Sequence, residues 1–329
     1  AGNREVAEQW LSRQPGIGGA GEGEAAPVDT VVTTGHLARA LLAAHDLRLD
    51  DARAELDAAP SADVDRETWS RRLFVESVVA RVSGQARQQL ARVGATMSTQ
   101  PERTRSTGLN GWLCTMATAE LQLAMGDVAA AGRTVSHLQV LDLPAANDPV
   151  LVLRAWVALR RGDAAGAIVL AAPGLAEPMS SHRITVELLT VVAAANLALG
   201  LTDEARGHFA AAVDLVRSEG LAVVLMRLTS AERAALLADH AGVLTPRVLR
   251  ELESEGSAVT APRAVQLTDR ERVVLRHLMA ARSLHAIAAA EHVSHNTVKS
   301  QVRSVYRKLG VSNRDDATRV AASAPHLLA

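Results

Sequence analysis

The sequence is short of aromatic residues, lysine and cysteine, and each shortage excludes something. Aromatics make up 2% of the 329 residues, as four Trp, two Phe and one Tyr. β-Sandwiches and barrels draw on aromatic and β-branched side chains, so the composition argues against them. The one cysteine, Cys114, rules out an internal disulfide framework and a cysteine-based zinc site. It fits a reducing, cytoplasmic setting. No uninterrupted apolar run reaches the length of a membrane span, and the N-terminus lacks the basic-then-apolar pattern of a signal peptide. The first residue is not Met, so a processed chain or a piece of a longer protein is expected. Of 35 basic residues only two are lysine, Lys299 and Lys308.

Apolar residues account for 48% of the chain, enough for a sizeable core, and the formal net charge is −1. The first residues suggest a short helix around Val6, Trp10 and Leu11. A Gly-rich acidic stretch from Pro15 to Glu24 follows and reads as a flexible linker. It lacks the Gly-Lys-Ser/Thr of a phosphate loop. From Leu37 the apolar pattern is helical. Gly126, Gly162 and Gly200 each end an apolar run and open a turn. Ala119, Ala155 and Ala193 stand seven residues before them, and Ala131, Ala167 and Ala205 five after. Gly84 marks a weaker copy, and Leu49 with Ala54 a weaker one still. Glycine permits the tight turn between antiparallel helices, and alanine permits close approach of their axes. A lone hairpin cannot bury its apolar face, whereas stacked hairpins can. The pattern resembles the tetratricopeptide repeat, best in Ala193, Gly200, Ala205, Phe209 and Ala212. An irregular helical bundle is the competing reading.

The C-terminal segment is more specific. Thr268 followed by Glu271 forms a capping box, predicting a helix to about Ala280. Ser283 is placed to cap a second helix containing Ile287, and Ser294 a third that ends at Gly310. Ser312 followed by Asp315 suggests a fourth. The short turn before the third helix makes a helix-turn-helix. Val298, Val302, Val305 and Leu309 form one apolar stripe on that helix. Lys299, Ser300, Arg303 and Arg307 fall on another. Residues 267–321 carry a formal charge of +5, leaving −6 for the rest, so the near-neutral total is a cancellation. A basic module is what neutralising phosphates requires.

These residues, from Leu267-Thr268 and Arg270-Glu271 through Leu275, Ile287-Ala288, Val293-Ser294 and Thr297-Val298-Lys299 to Lys308-Leu309-Gly310-Val311, resemble the LuxR-type (NarL/FixJ-type) helix-turn-helix. The segment 197–221 resembles the end of the repeat region in MalT-like regulators, where a helix pair, here 225–237 and 243–252, leads into the DNA-binding domain. The expected architecture is all-α: an N-terminal segment and linker at 1–35, a tetratricopeptide-like solenoid at 36–252, a linker at 253–266 and a four-helix LuxR-type domain at 267–329. The resemblance implies a cytoplasmic transcription regulator bound to double-stranded DNA as a homodimer, with RNA polymerase as a further partner. Lys299, Ser300 and Arg303 would face base edges. Ser283, His295, Asn296, Thr297, Arg307 and Lys308 would contact the DNA backbone. Val311, Ala317, Val320 and Ala321 would form the dimer contact. Ala286 and Gln301 depart from the family's usual residues, and Ala280-Ala281-Arg282 stands where it often has glycine. MalT-like regulators also carry an upstream ATPase domain, which is missing here.

Trp69, Trp112 and Trp156 recur at nearly even spacing and are candidates for a ligand groove in the repeat region; core packing is the competing reading. The groove would receive a small molecule or a protein. His292 and His295 straddle a helix cap without a carboxylate pair, so no metal site is expected. No hydrolase, zinc-protease or nucleotide-binding motif occurs, and no lysine precedes Lys299 to serve a phosphorylation receiver domain. No enzyme activity or cofactor is expected. The alternative to a DNA reader is a helical-repeat adapter whose basic C-terminal module reads no sequence.

Overall fold

The computed structural model describes residues 4–12, 30–60, 68–138, 144–176, 181–240, 242–253, 267–280, 282–309, 311 and 313–323. All regular structure among them is helical. A first helix, α1 (Arg4–Ser12), precedes five hairpins. These are α2 (Thr30–His45) with α3 (Leu49–Ala58), α4 (Trp69–Val82) with α5 (Ala86–Thr99), then, after the short α6 (Glu102–Ser106), α7 (Gly108–Ala124) with α8 (Val128–Ser136). The last two are α9 (Pro144–Arg160) with α10 (Ala164–Ala176) and α11 (His182–Ala198) with α12 (Thr202–Glu219). A 3-10 segment (Ala222–Arg227), α13 (Ser230–Leu237) and α14 (Pro246–Glu253) complete the arm. The C-terminal unit is α15 (Asp269–Met279), α16 (Leu284–Ala290), α17 (His295–Leu309) and α18 (Arg314–Ser323). Among the described residues no helix is long and apolar enough to cross a membrane. The expected linker at 15–24, the expected linker at 253–266 except Glu253, which ends α14, and Gly310 and Ser312 lie outside the described residues.

The hairpin register has a direct physical basis. Gly84, Gly126, Gly162 and Gly200 all adopt positive φ, from 73° to 89°. Ala119 and Ala131, Ala155 and Ala167, and Ala193 and Ala205 are each 0% exposed. A larger side chain there would push the paired helices apart, because interiors are close-packed. In the second hairpin Ser77 and the larger Gln89 occupy the equivalent positions, both buried, with the Ser77 hydroxyl donating to the Leu73 carbonyl at 2.7 Å. The first hairpin corrects the expectation. Its turn residue is Leu47, at φ 58°, two residues before Leu49, and the close contacts are Ala40 and Ala52 rather than Ala54.

Successive hairpins pack side by side, and the end of the path returns to its start. The 3-10 segment contacts α2 as well as α11, α12 and α14. Arg247 donates to the Asp46 carbonyl at 2.7 Å, and Arg4 pairs with the Asp46 carboxylate at 3.0 Å. All six residues of the 3-10 segment are buried. Leu225 and Leu228 are 0% exposed, each contributing about 1.5–3 kcal/mol of burial. The segment expected as one helix over 225–237 breaks at Thr229. Thr229 accepts from the Glu232 backbone N–H at 3.2 Å while Glu232 accepts from the Thr229 N–H at 2.7 Å, so a capping box starts α13.

Candidate nucleic-acid interface

Local signals set each C-terminal helix. Thr268 and Glu271 form the expected reciprocal capping box at α15. Ser283 Oγ accepts from the Ala286 N–H at 3.2 Å to start α16, and Ser294 Oγ accepts from the Thr297 N–H at 3.1 Å to start α17. Between α16 and α17 the chain turns at His292, which takes φ 52°, and Val293 N–H closes the turn on the Ala288 carbonyl at 3.1 Å. The fourth helix is capped by Asn313, whose Oδ1 accepts from the Asp316 N–H at 2.9 Å.

The third helix is two-faced as its spacing predicts. Val298, Val302, Val305 and Leu309 are buried. They meet Leu275, Leu278 and Ile287 in two adjoining apolar clusters that bind α15, α16 and α18 to α17. Lys299, Ser300, Arg303 and Arg307 are exposed on the other side. Asn296 is exposed and His295 and Thr297 half-buried at the start of the same helix. Its ring stands 4.6 Å from that of His285, bringing the beginnings of α16 and α17 together. The cationic residues are thus fixed from behind by an apolar stripe. Arg133 of α8 faces them across a cleft of about 420 Å³ that Lys299, Arg303 and Arg307 also line.

Lys308 is placed differently. Its ammonium lies 2.6 Å from Glu271, which also accepts from Ser304 Oγ at 2.8 Å. Burial pushes the Glu271 carboxyl up, but Lys308, the Thr268 N–H and the Ser304 hydroxyl overcome this and hold it at about 2. This anchor joins the first and last turns of the domain's two longest helices. Sequence reasoning assigned Lys308 only outward and missed the inward bond. It also missed Arg314, whose guanidinium donates to the Leu278 carbonyl at 3.0 Å and the Arg282 carbonyl at 2.6 Å, latching α18 to the end of α15. Arg314 opens its own helix 36 positions after Leu278, so no local sequence signal marks that latch.

Two groups of expected residues lie largely inside the chain. Ala317, Val320 and Ala321 are 0%, 6% and 0% exposed, packed with Leu267, Leu275, Val305 and Leu309 in the domain's own core. Their side chains are engaged within the chain, with Val311 half-buried beside them. The outward residues of α18 are Asp315, Arg319 and Ala322. Nor do the tryptophans share a groove. Trp69 is buried in one apolar cluster, whereas Trp112 and Trp156 belong to another. Trp156 is 1% exposed and donates to Glu187 at 3.1 Å. Among the described residues no group of three or more His, Cys, Asp or Glu is arranged to hold a metal ion.

Residues 265–321, the segment of α15 to α18, match the family described as bacterial regulatory proteins, luxR family. Two curated relatives, both named probable transcriptional regulatory protein NarL and both from strains of Mycobacterium tuberculosis, are 40% identical over 79 residues. That similarity covers 24% of this chain and 37% of each relative, so the chain spans little more than a third of the proteins it matches. No solved structure matches the chain.

Proposed function

We propose that this chain is a DNA-binding transcription regulator whose C-terminal helix-turn-helix reads a major groove and whose helical arm receives a small molecule or protein that controls it. One observation carries this reading most directly. A helix that follows a tight turn holds Lys299, Ser300, Arg303 and Arg307 exposed along one face while its other face is buried. Lys299 and Arg303 suit guanine O6 and N7, with Ser300 beside them. Ser283, His295, Asn296, Thr297 and Arg307 flank that face and set the register on phosphates. Lys308, bonded to Glu271, would add its charge beside the DNA backbone. Entry into a groove would require α17 to part from α8, because Arg133 of α8 lines the same cleft as Lys299, Arg303 and Arg307.

A dimer would place two such helices on successive turns of one DNA face. Its contact would use the outward side of α18 together with half-buried Val311. Ligand or partner binding would act by changing the population of DNA-competent molecules. The regulator would work in the cytoplasm alongside RNA polymerase.

Selection of bound sequences from a random duplex pool tests the reading. An enriched motif, bound more tightly than random duplex, is expected. Lys299→Ala plus Arg303→Ala should remove about 1–3 kcal/mol of discrimination per base contact. Absence of an enriched motif, or binding indifferent to the double substitution, leaves the adapter reading in its place.

A further inference from the structure

The cleft between α8 and α17 has a one-sided charge. Its lining holds four cations, Arg133, Lys299, Arg303 and Arg307, and no acid. The rest of the wall is Val302, Tyr306 and Val311. At about 420 Å³ it falls within the range of about 300–1,000 Å³ usual for small-molecule sites.

Elsewhere the chain matches its closely packed arginines. At the centre of the arm Arg227 donates to Glu120 and lies 2.7 Å from Glu187. Glu232 grips Arg160 there through both carboxylate oxygens, at 2.6 and 2.8 Å. In the cleft, the side chains of Arg133, Lys299 and Arg303 make no hydrogen bond or ion pair among the described residues. Arg307 meets only the neutral Ser304 hydroxyl, at 3.2 Å. On neighbouring α18, Asp316 is taken by Arg319 at 3.1 Å. Asp315 acts on Tyr306 but stands outside the lining.

The cations occupy two walls. Lys299, Arg303 and Arg307 are four residues apart, so they step about 6 Å at a time along one side of α17. Like charges at that spacing repel. Val302 and Tyr306, also four apart, form the adjoining row. Arg133 reaches the row from a different helix, where α8 touches α17.

We propose that this cleft binds a nucleoside di- or triphosphate, which ties α8 to α17. A chain of phosphates answers cations on both walls at once, which a single sulfate does not, and arginine forks pair with phosphate oxygens. The base covers the Tyr306 ring and the apolar wall of Val302 and Val311. Inorganic polyphosphate meets the same cations but leaves that wall bare. A molecule seated there covers Lys299 and Arg303, so it and DNA exclude each other, each weakening the other by the same factor. That consequence rests on the groove-reading proposal; the binding itself does not.

The test uses the full chain. Without DNA or divalent metal, the four common ribonucleoside triphosphates, tripolyphosphate and sulfate are titrated by calorimetry at matched ionic strength. Saturable one-site binding is expected for at least one nucleotide, about fivefold or more tighter than tripolyphosphate because the base stacks. Sulfate should not saturate. Arg133 is exposed and lies outside the reading helix, so Arg133→Ala should fold and still bind duplex. It should weaken the nucleotide about tenfold or more, as loss of a charge-assisted pair does. The same nucleotide should displace duplex from the wild type, and about tenfold less well from the variant. No saturable binding of any nucleotide, tripolyphosphate or sulfate bound as tightly, or nucleotide binding unchanged in Arg133→Ala overturns the proposal. Duplex bound without nucleotide leaves the groove reading intact, and nucleotide bound as expected without any duplex leaves this site intact.

Discussion

The Glu271 anchor makes the sharpest quantitative prediction about the DNA-binding unit. Glu271→Gln keeps the shape of the side chain and one oxygen for the Thr268 cap but removes the charge facing Lys308. The folded-state carboxyl sits at about 2, against an ordinary value of 4.5. At about 1.36 kcal/mol per unit, the difference sets a ceiling of about 3.4 kcal/mol. Lys308 is 33% exposed on its side chain, so solvent screens the pair and about 1–2 kcal/mol is the expected contribution. Hydrogen–deuterium exchange in peptides from the start of α15 and the end of α17 reads it, as a roughly five- to thirtyfold faster exchange in the variant at neutral pH. The pH dependence has a definite sign. A carboxyl lowered by folding stabilises fully above its unfolded value and loses that contribution as pH falls from about 4.5 toward 2. Wild-type protection, corrected for intrinsic exchange, should therefore drop through that window by the same factor, and the variant should lack that component. Equal protection of the two proteins at neutral pH, or the same acid drop in both, refutes the reasoning.

Arg307→Ala should weaken binding to specific and random duplex alike and reduce the salt slope by about one, measured as log affinity against log salt; a change in sequence preference instead would assign Arg307 to base reading. Gly200→Ala tests the turn backbone by itself, since a Cβ there meets nothing within 4 Å while φ is 78°. It should cost about 1–2 kcal/mol in denaturant unfolding of the arm, and a neutral result would contradict the turn's left-handed geometry. Glu187→Ala removes a carboxylate 1% exposed that meets Arg227 and the Trp156 N–H. A loss of about 3–5 kcal/mol is expected from the stranded guanidinium, followed by tryptophan fluorescence during unfolding; a loss under about 1 kcal/mol would mean that the group is solvated.

Local chemistry was legible in the sequence wherever a residue type acts within its own turn of helix. Thr268 and Glu271 satisfy each other three residues apart, Ser283 and Ser294 cap within three residues, and the alanines around Gly126, Gly162 and Gly200 follow from two helices touching at a turn. The first hairpin misled because its turn residue is Leu47 rather than glycine. Leu47 bears the strained backbone while its side chain, 1% exposed, joins the main core. Burial of a leucine, about 1.5–3 kcal/mol, outweighs an αL cost of about 1–2 kcal/mol, and no rule of turn composition signals that exchange. The residues expected at a dimer contact, Ala317, Val320 and Ala321, pack within the single chain. The apolar positions of α18 were visible, but not whether they face a second chain or their own core.

The charged centre of the arm shows where such reasoning stops. Arg81, Arg160, Arg183 and Arg227 are indistinguishable in sequence from arginines on a solvated helix face, and Glu120, Glu187 and Glu232 from their surface partners. Arg81, Glu120, Arg160, Glu187 and Arg227 are buried where the chain, after α12, runs back through the arm as a 3-10 segment and reaches α2, with Arg183 and Glu232 half-buried beside them. That return carries Arg227 between Glu120 and Glu187, residues 107 and 40 positions earlier in the chain. Once Arg227 has taken both carboxylates and Glu232 has taken Arg160, no acid remains at hydrogen-bond distance from Arg81. The arrangement of these charges is thus a consequence of how the path closes rather than of any motif.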